Sequence, residues 1–369
     1  MRAGQSAHGR PRAHTSAPSG ASARVRHSAA TGNGRVIRAK APLRVSFAGG
    51  GTDVPPFPAV EGGLVLSATI NRYAYGALRP RTDNQIGVES VDFGMSVNYE
   101  HDDDLAFDGK LDLVKAAIRK LGRGGYDLFL HSNAPPGSGL GSSSAVMVTL
   151  IGLLREFHRE PLTDYEVAHL AYQLEREDLG IKGGLQDQYA AAFGGFNFIE
   201  FEGDRVIVNP LRISADVMHE LEHNMLLCYT GKTRSGDHII EDQTKRYEGG
   251  EERALEGLRS GKALAVEMKN ALLNRRLNEF GDLLGTAWEE KKKMSPRIAN
   301  DFINELYETA RDHGALGGKV TGAGGGGYML FYCPFQRKHH VANALIALGG
   351  EVTEFEFTPE GLTTWSIHE

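Results

Sequence analysis

From residue 36 the chain alternates apolar and polar positions with a period of two. Val36–Ala41, Ala41–Phe47, Leu64–Ile70, Tyr73–Leu78 and Gln85–Val91 read as strands. The period becomes helical near Asp112–Leu121, and a strand at Tyr126–Ser132 follows. That strand leads into Pro135-Pro136-Gly137-Ser138-Gly139-Leu140-Gly141-Ser142-Ser143-Ser144-Ala145. Behind it Val146, Met147, Leu150, Ile151, Leu154 and Phe157 trace the apolar face of a helix. Thr163 with Glu166 three residues on forms a capping box, predicting a helix from Thr163 to about Asp178. Strands are expected at Asn197–Phe201, Arg205–Ile213 and Met225–Tyr229, then helices over roughly 235–313. A strand at Tyr328–Cys333, a helix near Gln336–Leu348 and a strand near Glu351–Phe357 complete the pattern. The shift from strand-rich to helix-rich chain predicts two domains, 36–215 and 216–369.

Composition narrows the class. A chain of 369 residues with 41% hydrophobic and 24% charged residues is an ordinary globular protein. No stretch is long and apolar enough to span a membrane, so no membrane partner is expected. Cys228 and Cys333, both in apolar runs, suggest buried thiols in a reducing, cytoplasmic compartment. Residues 1 to about 40 hold no Asp or Glu and eight basic residues among Ser, Ala, Gly and His; residues 1–35 are expected to be disordered. Without those eight charges the formal charge goes from −6 to about −14, which argues against nucleic acid as a partner.

The glycine-rich run at 135–145 is suited to polyphosphate. Its glycines let backbone approach a ligand closely, and the helix start behind it presents free N–H groups and a positive dipole end. Serine hydroxyls there can ligate a metal or cap the helix. Two other phosphate motifs are excluded. Gly231-Lys232-Thr233 has Leu226 where a P-loop needs glycine. Gly322, Gly324 and Gly327 match a dinucleotide fingerprint literally, but a strand follows where that fold requires a helix.

Three segments in this order, Ala41-Pro42-Leu43-Arg44-Val45-Ser46-Phe47-Ala48-Gly49-Gly50-Gly51-Thr52-Asp53, the loop at 135–145, and Lys319-Val320-Thr321-Gly322-Ala323-Gly324-Gly325-Gly326-Gly327, resemble the GHMP kinases. The resemblance spans nearly all of 36–369. It implies an α+β, two-domain fold: an N-terminal ATP-binding domain like domain 2 of ribosomal protein S5 and a ferredoxin-like C-terminal domain. Phe47 to Pro55, Ile70 to Tyr75 and Tyr229 to Ser235 resemble the branch that acts on heptose 7-phosphates, with L-fucokinases the nearest relatives on this pattern.

By the same resemblance Pro136, Gly137, Ser138, Gly139, Leu140, Gly141, Ser142, Ser143 and Ser144 bind ATP, and Ser143 with Glu175 holds Mg²⁺. Asp187 would be the catalytic carboxylate and Arg44 the cation beside it. Gly50, Gly51, Thr52, Asp53, Lys182, Thr321, Gly322, Gly324 and Gly325 would meet the acceptor. Gly50 and Gly51 stand where galactokinases carry Glu and His, which opens the sugar pocket. A phosphorylated sugar needs basic partners, and Lys182, Arg72, Lys232 and Arg234 are candidates. Lys291-Lys292-Lys293 reads as a solvated helix face. The expected activity is an ATP- and Mg²⁺-dependent sugar 1-kinase. The alternatives are a kinase of an unphosphorylated sugar, or a sugar sensor of the same fold without turnover. Oligomeric state is left open.

Overall fold

The computed structural model describes residues 34–92, 94–100, 103–232 and 236–368. The expectations for residues 1–33 and for Arg234 lie outside the described residues. The two strands expected on either side of residue 41 are one, β1 (Arg35–Ala48). After the short helix α1 (Phe57–Glu61), the pair expected at 64–78 is likewise one strand, β2 (Gly63–Pro80). They pair antiparallel, with a register shift after Pro42 that leaves Asn71 and Arg72 unopposed. Proline cannot donate to the ladder, so it sits at this irregularity. The bulge is what split the sequence pattern in two.

Next come β3 (Ile86–Ser90), β4 (Met95–Tyr99), α2 (Asp112–Leu121), β5 (Tyr126–Ser132), α3 (Ser142–His158) and α4 (Asp164–Tyr172). The capping box at Thr163 is present as expected. Past Tyr172 the helix widens into a π-helical turn, Gln173–Asp178. Then follow α5 (Gln186–Phe193), β6 (Phe196–Glu202), β7 (Arg205–Pro210), α6 (Ala215–Asn224) and β8 (Met225–Tyr229). The helix-rich stretch resolves into α7 (Asp237–Glu248), α8 (Glu252–Leu273), α9 (Leu277–Met294) and α10 (Asp301–Asp312). The chain ends with β9 (Gly317–Val320), β10 (Tyr328–Tyr332), α11 (Phe335–Ala347), β11 (Glu351–Thr353) and β12 (Thr363–His368).

The fold is α+β with two sheets, as expected. The first runs β12-β1-β2-β5-β3-β4, with β6 on the other half of β2 and β7 beyond it; the second runs β11-β8-β10-β9. Ala41 to Ala48 are all buried, because α3 and α5 cover one face of β1 while α8 and α9 pack from the second half of the chain. Full burial of each Leu, Val or Phe there contributes about 1.5–3 kcal/mol. The second half also returns to the first sheet: β12 pairs with β1 from Arg35↔His368 to Lys40↔Thr363, and Thr69 Oγ1 donates to the Thr358 carbonyl at 2.8 Å. This shared burial sets the two halves of the cleft against each other.

Candidate active site

Arg44 lies on the buried part of β1 and Asp187 in the first turn of α5. Arg44 Nε donates to Asp187 Oδ1 at 2.8 Å, and Nη2 lies 2.7 Å from the same oxygen. Among the described residues Oδ2 has no partner, and the Asp187 side chain keeps 20% of its surface exposed. Arg44 Nη1 also donates to the carbonyls of Gly139 (2.6 Å) and Thr321 (3.3 Å). One guanidinium therefore ties the carboxylate to both glycine segments. Such a fork of fixed donors is what arginine offers over lysine.

The 135–141 loop crosses directly above this pair. Gly141, at φ +75°, caps α3, and a Cβ on it would stand 3.4 Å from Asp187 Cγ. A side chain there would be both strained and in the way. The amides of Ser142, Ser143 and Ser144 begin α3 and have no carbonyl four residues back within the helix. Gly322 packs against Gly139 so closely that a Cβ would stand 2.5 Å from Gly139 Cα. Glycine at both positions lets the two loops touch.

Behind the α3 start, Glu175 is fully buried in the π-helical turn. Ser143 Oγ donates to its Oε1 at 2.7 Å; Ser144 Oγ and Gln188 Nε2 donate to Oε2 at 2.7 and 2.6 Å. The carboxylate is thus held by three neutral donors. Among the described residues no group of three or more His, Cys, Asp or Glu side chains could hold a metal alone. Ser143 and Glu175 offer hard oxygen donors, and a hard cation there would need phosphate oxygens to complete its shell.

The Gly49–Asp53 turn forms the opposite wall. Asp53 is buried, and its Oδ1 accepts from Gly51 N and Gln186 Nε2, both at 3.0 Å, while Oδ2 accepts from Gln186 N at 3.1 Å. Its carboxylate therefore anchors the start of α5, one residue from Asp187. Thr52 is turned inward, bonded to Gly49 and Leu64.

Of the expected site residues, Arg44, Gly50, Gly51, Asp53, Gly137, Gly139, Gly141, Ser142, Ser143, Ser144, Lys182, Asp187, Thr321 and Gly322 line one cavity. Thr52, Ser138, Leu140 and Glu175 are buried behind its wall, and Pro136 is exposed. Gly324 and Gly325 pack on Ile298, the latter through N–H to its carbonyl at 2.8 Å. Neither Arg72 nor Lys232 lines the cavity.

Two residues of the wall correct or extend the sequence reading. Lys291 does not belong to a solvated face: it is 6% exposed and lines the cavity. Three consecutive helical residues fan over roughly 200°, so one of them must point inward. Leu284 and Trp288, seven and three residues before Lys291, are fully buried on that side of α9. Lys292 and Lys293 remain outside, Lys293 pairing with Glu256 at 2.8 Å. Burial pushes the Lys291 ammonium down to about 8, with nearby Arg44 adding to the fall and Asp53 opposing it. Lys319, not singled out from the sequence, is 3% exposed on β9 and donates to the Ser46 carbonyl at 2.7 Å. Burial, then Lys291 and Arg44, hold it well below the usual lysine range. Its sequence signal was a charge inside a strand too short and apolar to face water.

A second cavity of about 290 Å³ adjoins the first through Ile181, which lines both. Phe107, Leu113, Leu130, Val146 and Leu179 make it apolar. Val146 stands one helical turn past Ser143, so the cavity opens beside the glycine-rich loop. Leu111, on its rim, holds the left-handed conformation at φ 54°, a strained choice for leucine.

Comparison with known proteins agrees with this geometry. A family model of the GHMP kinases N terminal domain matches residues 112–195, and one of the GHMP kinases C terminal region matches 268–350. A D-glycero-alpha-D-manno-heptose 7-phosphate kinase from Campylobacter jejuni is 41% identical over 340 residues, covering 90% of this chain and 100% of the relative. The crystal structure of a D-glycero-D-manno-heptose 1-phosphate kinase from Bacteriodes thetaiotaomicron superposes with a TM-score of 0.77 at 38% identity, over 90% of this chain and 100% of that one. A Lactococcus lactis galactokinase shares the fold, with a TM-score of 0.72 at 21% identity over 89% of this chain and 95% of that one. With a glycine loop at a helix start, a carboxylate–guanidinium pair beneath it and these matches along its length, the chain belongs to the GHMP kinase family.

Proposed function

We propose that this protein transfers the γ-phosphoryl group of ATP to the anomeric hydroxyl of D-glycero-D-manno-heptose 7-phosphate, giving the 1,7-bisphosphate. The observation that carries the chemistry is the Arg44–Asp187 pair lying under Gly141, with Asp187 Oδ2 left for a substrate hydroxyl. The acceptor is drawn from the 41% identical relative.

In this reading the adenine enters the apolar cavity beside Val146, and the phosphates lie on the 137–144 backbone. Ser143 and Glu175 would hold Mg²⁺ together with phosphate oxygens, where such an ion would supply positive charge against the phosphates. Asp187 Oδ2 receives the acceptor's proton as its oxygen bonds to the γ-phosphorus and the bond to ADP breaks. Arg44 neutralises charge developing on the transferred group. Lys182 and Arg176, both on the cavity wall, are the cations for the acceptor's own phosphate.

The test is ADP release with Mg²⁺-ATP and heptose 7-phosphate, free heptose, L-fucose or galactose. Turnover confined to the 7-phosphate is expected. Preference for a free sugar would overturn the acceptor assignment, and no turnover with any of them would favour a sensor.

A further inference from the structure

The cavity wall around the Gly49–Asp53 turn carries polar groups that the protein does not satisfy. Ser46 Oγ and Gln186 Oε1 are buried with no hydrogen-bond partner among the described residues. Lys291 makes no hydrogen bond or ion pair among them either, although Asp53 and Arg44 act on it electrostatically. All three residues are more than nine-tenths buried and all line the cavity. They come from three separate elements: β1, the first turn of α5 and the last turn of α9. Gly50 keeps the first two reachable, since a Cβ on it would stand 3.3 Å from Ser46 Oγ and 3.5 Å from Gln186 Nε2. Gln186 Nε2 is committed to Asp53, which turns Oε1 free as an acceptor.

Each buried polar group left unpaired carries a desolvation cost, and an ammonium a larger one. A ligand that pairs them recovers that cost on binding. The set offers a cationic donor, a hydroxyl able to donate or accept, and an amide acceptor. Neighbouring sugar hydroxyls match it, because each donates one hydrogen bond and accepts others. A phosphate dianion does not, since it would face Gln186 Oε1 with no proton to give.

Resting on the reading above that the acceptor is a sugar, we propose that Ser46, Gln186 and Lys291 form a subsite that grips the ring hydroxyls beside the one phosphorylated, with Lys291 setting its specificity. Gln186 and Asp187 are adjacent at the start of α5 and both line the cavity, which puts the subsite beside the reacting oxygen. The side chains absent at Gly50 and Gly51 are replaced by groups from elsewhere in the fold.

Steady-state kinetics of Lys291→Met and Ser46→Ala test this, with heptose 7-phosphate and its 2-deoxy and 3-deoxy analogues as acceptors and ADP affinity as a control. Lys291→Met is expected to raise acceptor KM about 10- to 100-fold, leaving kcat and ADP affinity nearly unchanged. One deoxy analogue, lacking the hydroxyl that Lys291 holds, is turned over equally poorly by wild type and variant. Ser46→Ala removes a hydroxyl with no partner among the described residues, so it folds normally and raises KM about 2- to 10-fold. Acceptor KM unchanged in both variants, or an equal penalty on the intact sugar and both deoxy analogues, overturns the subsite. If wild type instead prefers an unphosphorylated sugar, only the acceptor assignment falls. The same comparison with that sugar's 2- and 3-deoxy forms then decides the subsite.

Discussion

In the proposed reading, the nucleotide side of the cleft is made from neighbouring chain, whereas the acceptor side is collected from across it. On the nucleotide side, residues 137–144 supply loop and helix start in one run, and the apolar cavity opens a single turn further on. On the acceptor side, β1 brings Arg44 and Ser46, α5 brings Gln186 and Asp187, α9 brings Lys291 and β9 brings Lys319. Backbone groups line most of the first region and side chains the second. Backbone amides at a helix start suit any polyphosphate. Discrimination among sugars would need side chains at fixed points, and these are fixed by the packing of α5 on β1 and of α9 on β9 and β1.

Asp187 stands where the two regions meet, and its replacement should have the largest effect. Asp187→Asn is expected to lower kcat about 10³-fold while leaving ADP affinity close to wild type. Measuring both in one preparation separates the regions: a parallel loss of ADP binding would show that Asp187 serves the nucleotide side as well.

The same contrast explains what was legible in the sequence. Strand, glycine loop and helix follow one another at 126–158, so local pattern was enough to place them, as it was for the capping box at Thr163. β12 was not legible, because its partner β1 lies more than 300 residues away and neither strand's pattern names the other. The start of α5 was hidden because Gly183-Gly184 before it signal a turn, while the anchor for that helix, Asp53, is distant in sequence. Lys291 was misread within a run of three lysines. The buried stripe through Phe280, Leu284 and Trp288 leads toward it, and following that stripe to the end of α9 would have found it.

Glu175 is the exception on the proposed nucleotide side, a point where side chains rather than backbone would hold the ion. Glu175→Gln puts an amide N–H₂ against at least one of the donors that now meet a carboxylate oxygen, at a cost of about 1–3 kcal/mol that a lowered Tm would report. As an outer support of the metal site or a ligand in it, Glu175 is expected to raise the Mg²⁺ requirement about 10- to 100-fold when changed. Mg²⁺ titration of the rate checks this, and an unchanged requirement would leave Glu175 a purely structural carboxylate.

A milder change confined to the nucleotide side is Val146→Phe, which fills the apolar cavity without touching the loop. Obstructing that burial should raise ATP KM about tenfold with acceptor KM unaffected. Equal changes in both would mean that the two cavities are not the separable halves described above.

The smallest effect expected needs no mutation. With its ammonium lowered to about 8, Lys291 is mostly protonated at pH 7 and loses its proton as pH rises through 8. The groups facing it are Asp53, which favours its charge, and Arg44 and Lys319, which oppose it. If the protonated form binds the acceptor, KM rises about fourfold by pH 8.5, when roughly a quarter of Lys291 is still charged, while kcat stays flat. The sign follows from binding: the free enzyme loses the competent form as the proton leaves, whereas the bound complex, with an oxygen on the ammonium, retains it. ATP KM should not share this profile, because no part of Lys291 borders the apolar cavity. In Lys291→Met the alkaline rise should vanish. A rise that survives the substitution would assign the titration to Lys319, the other buried lysine on the same wall.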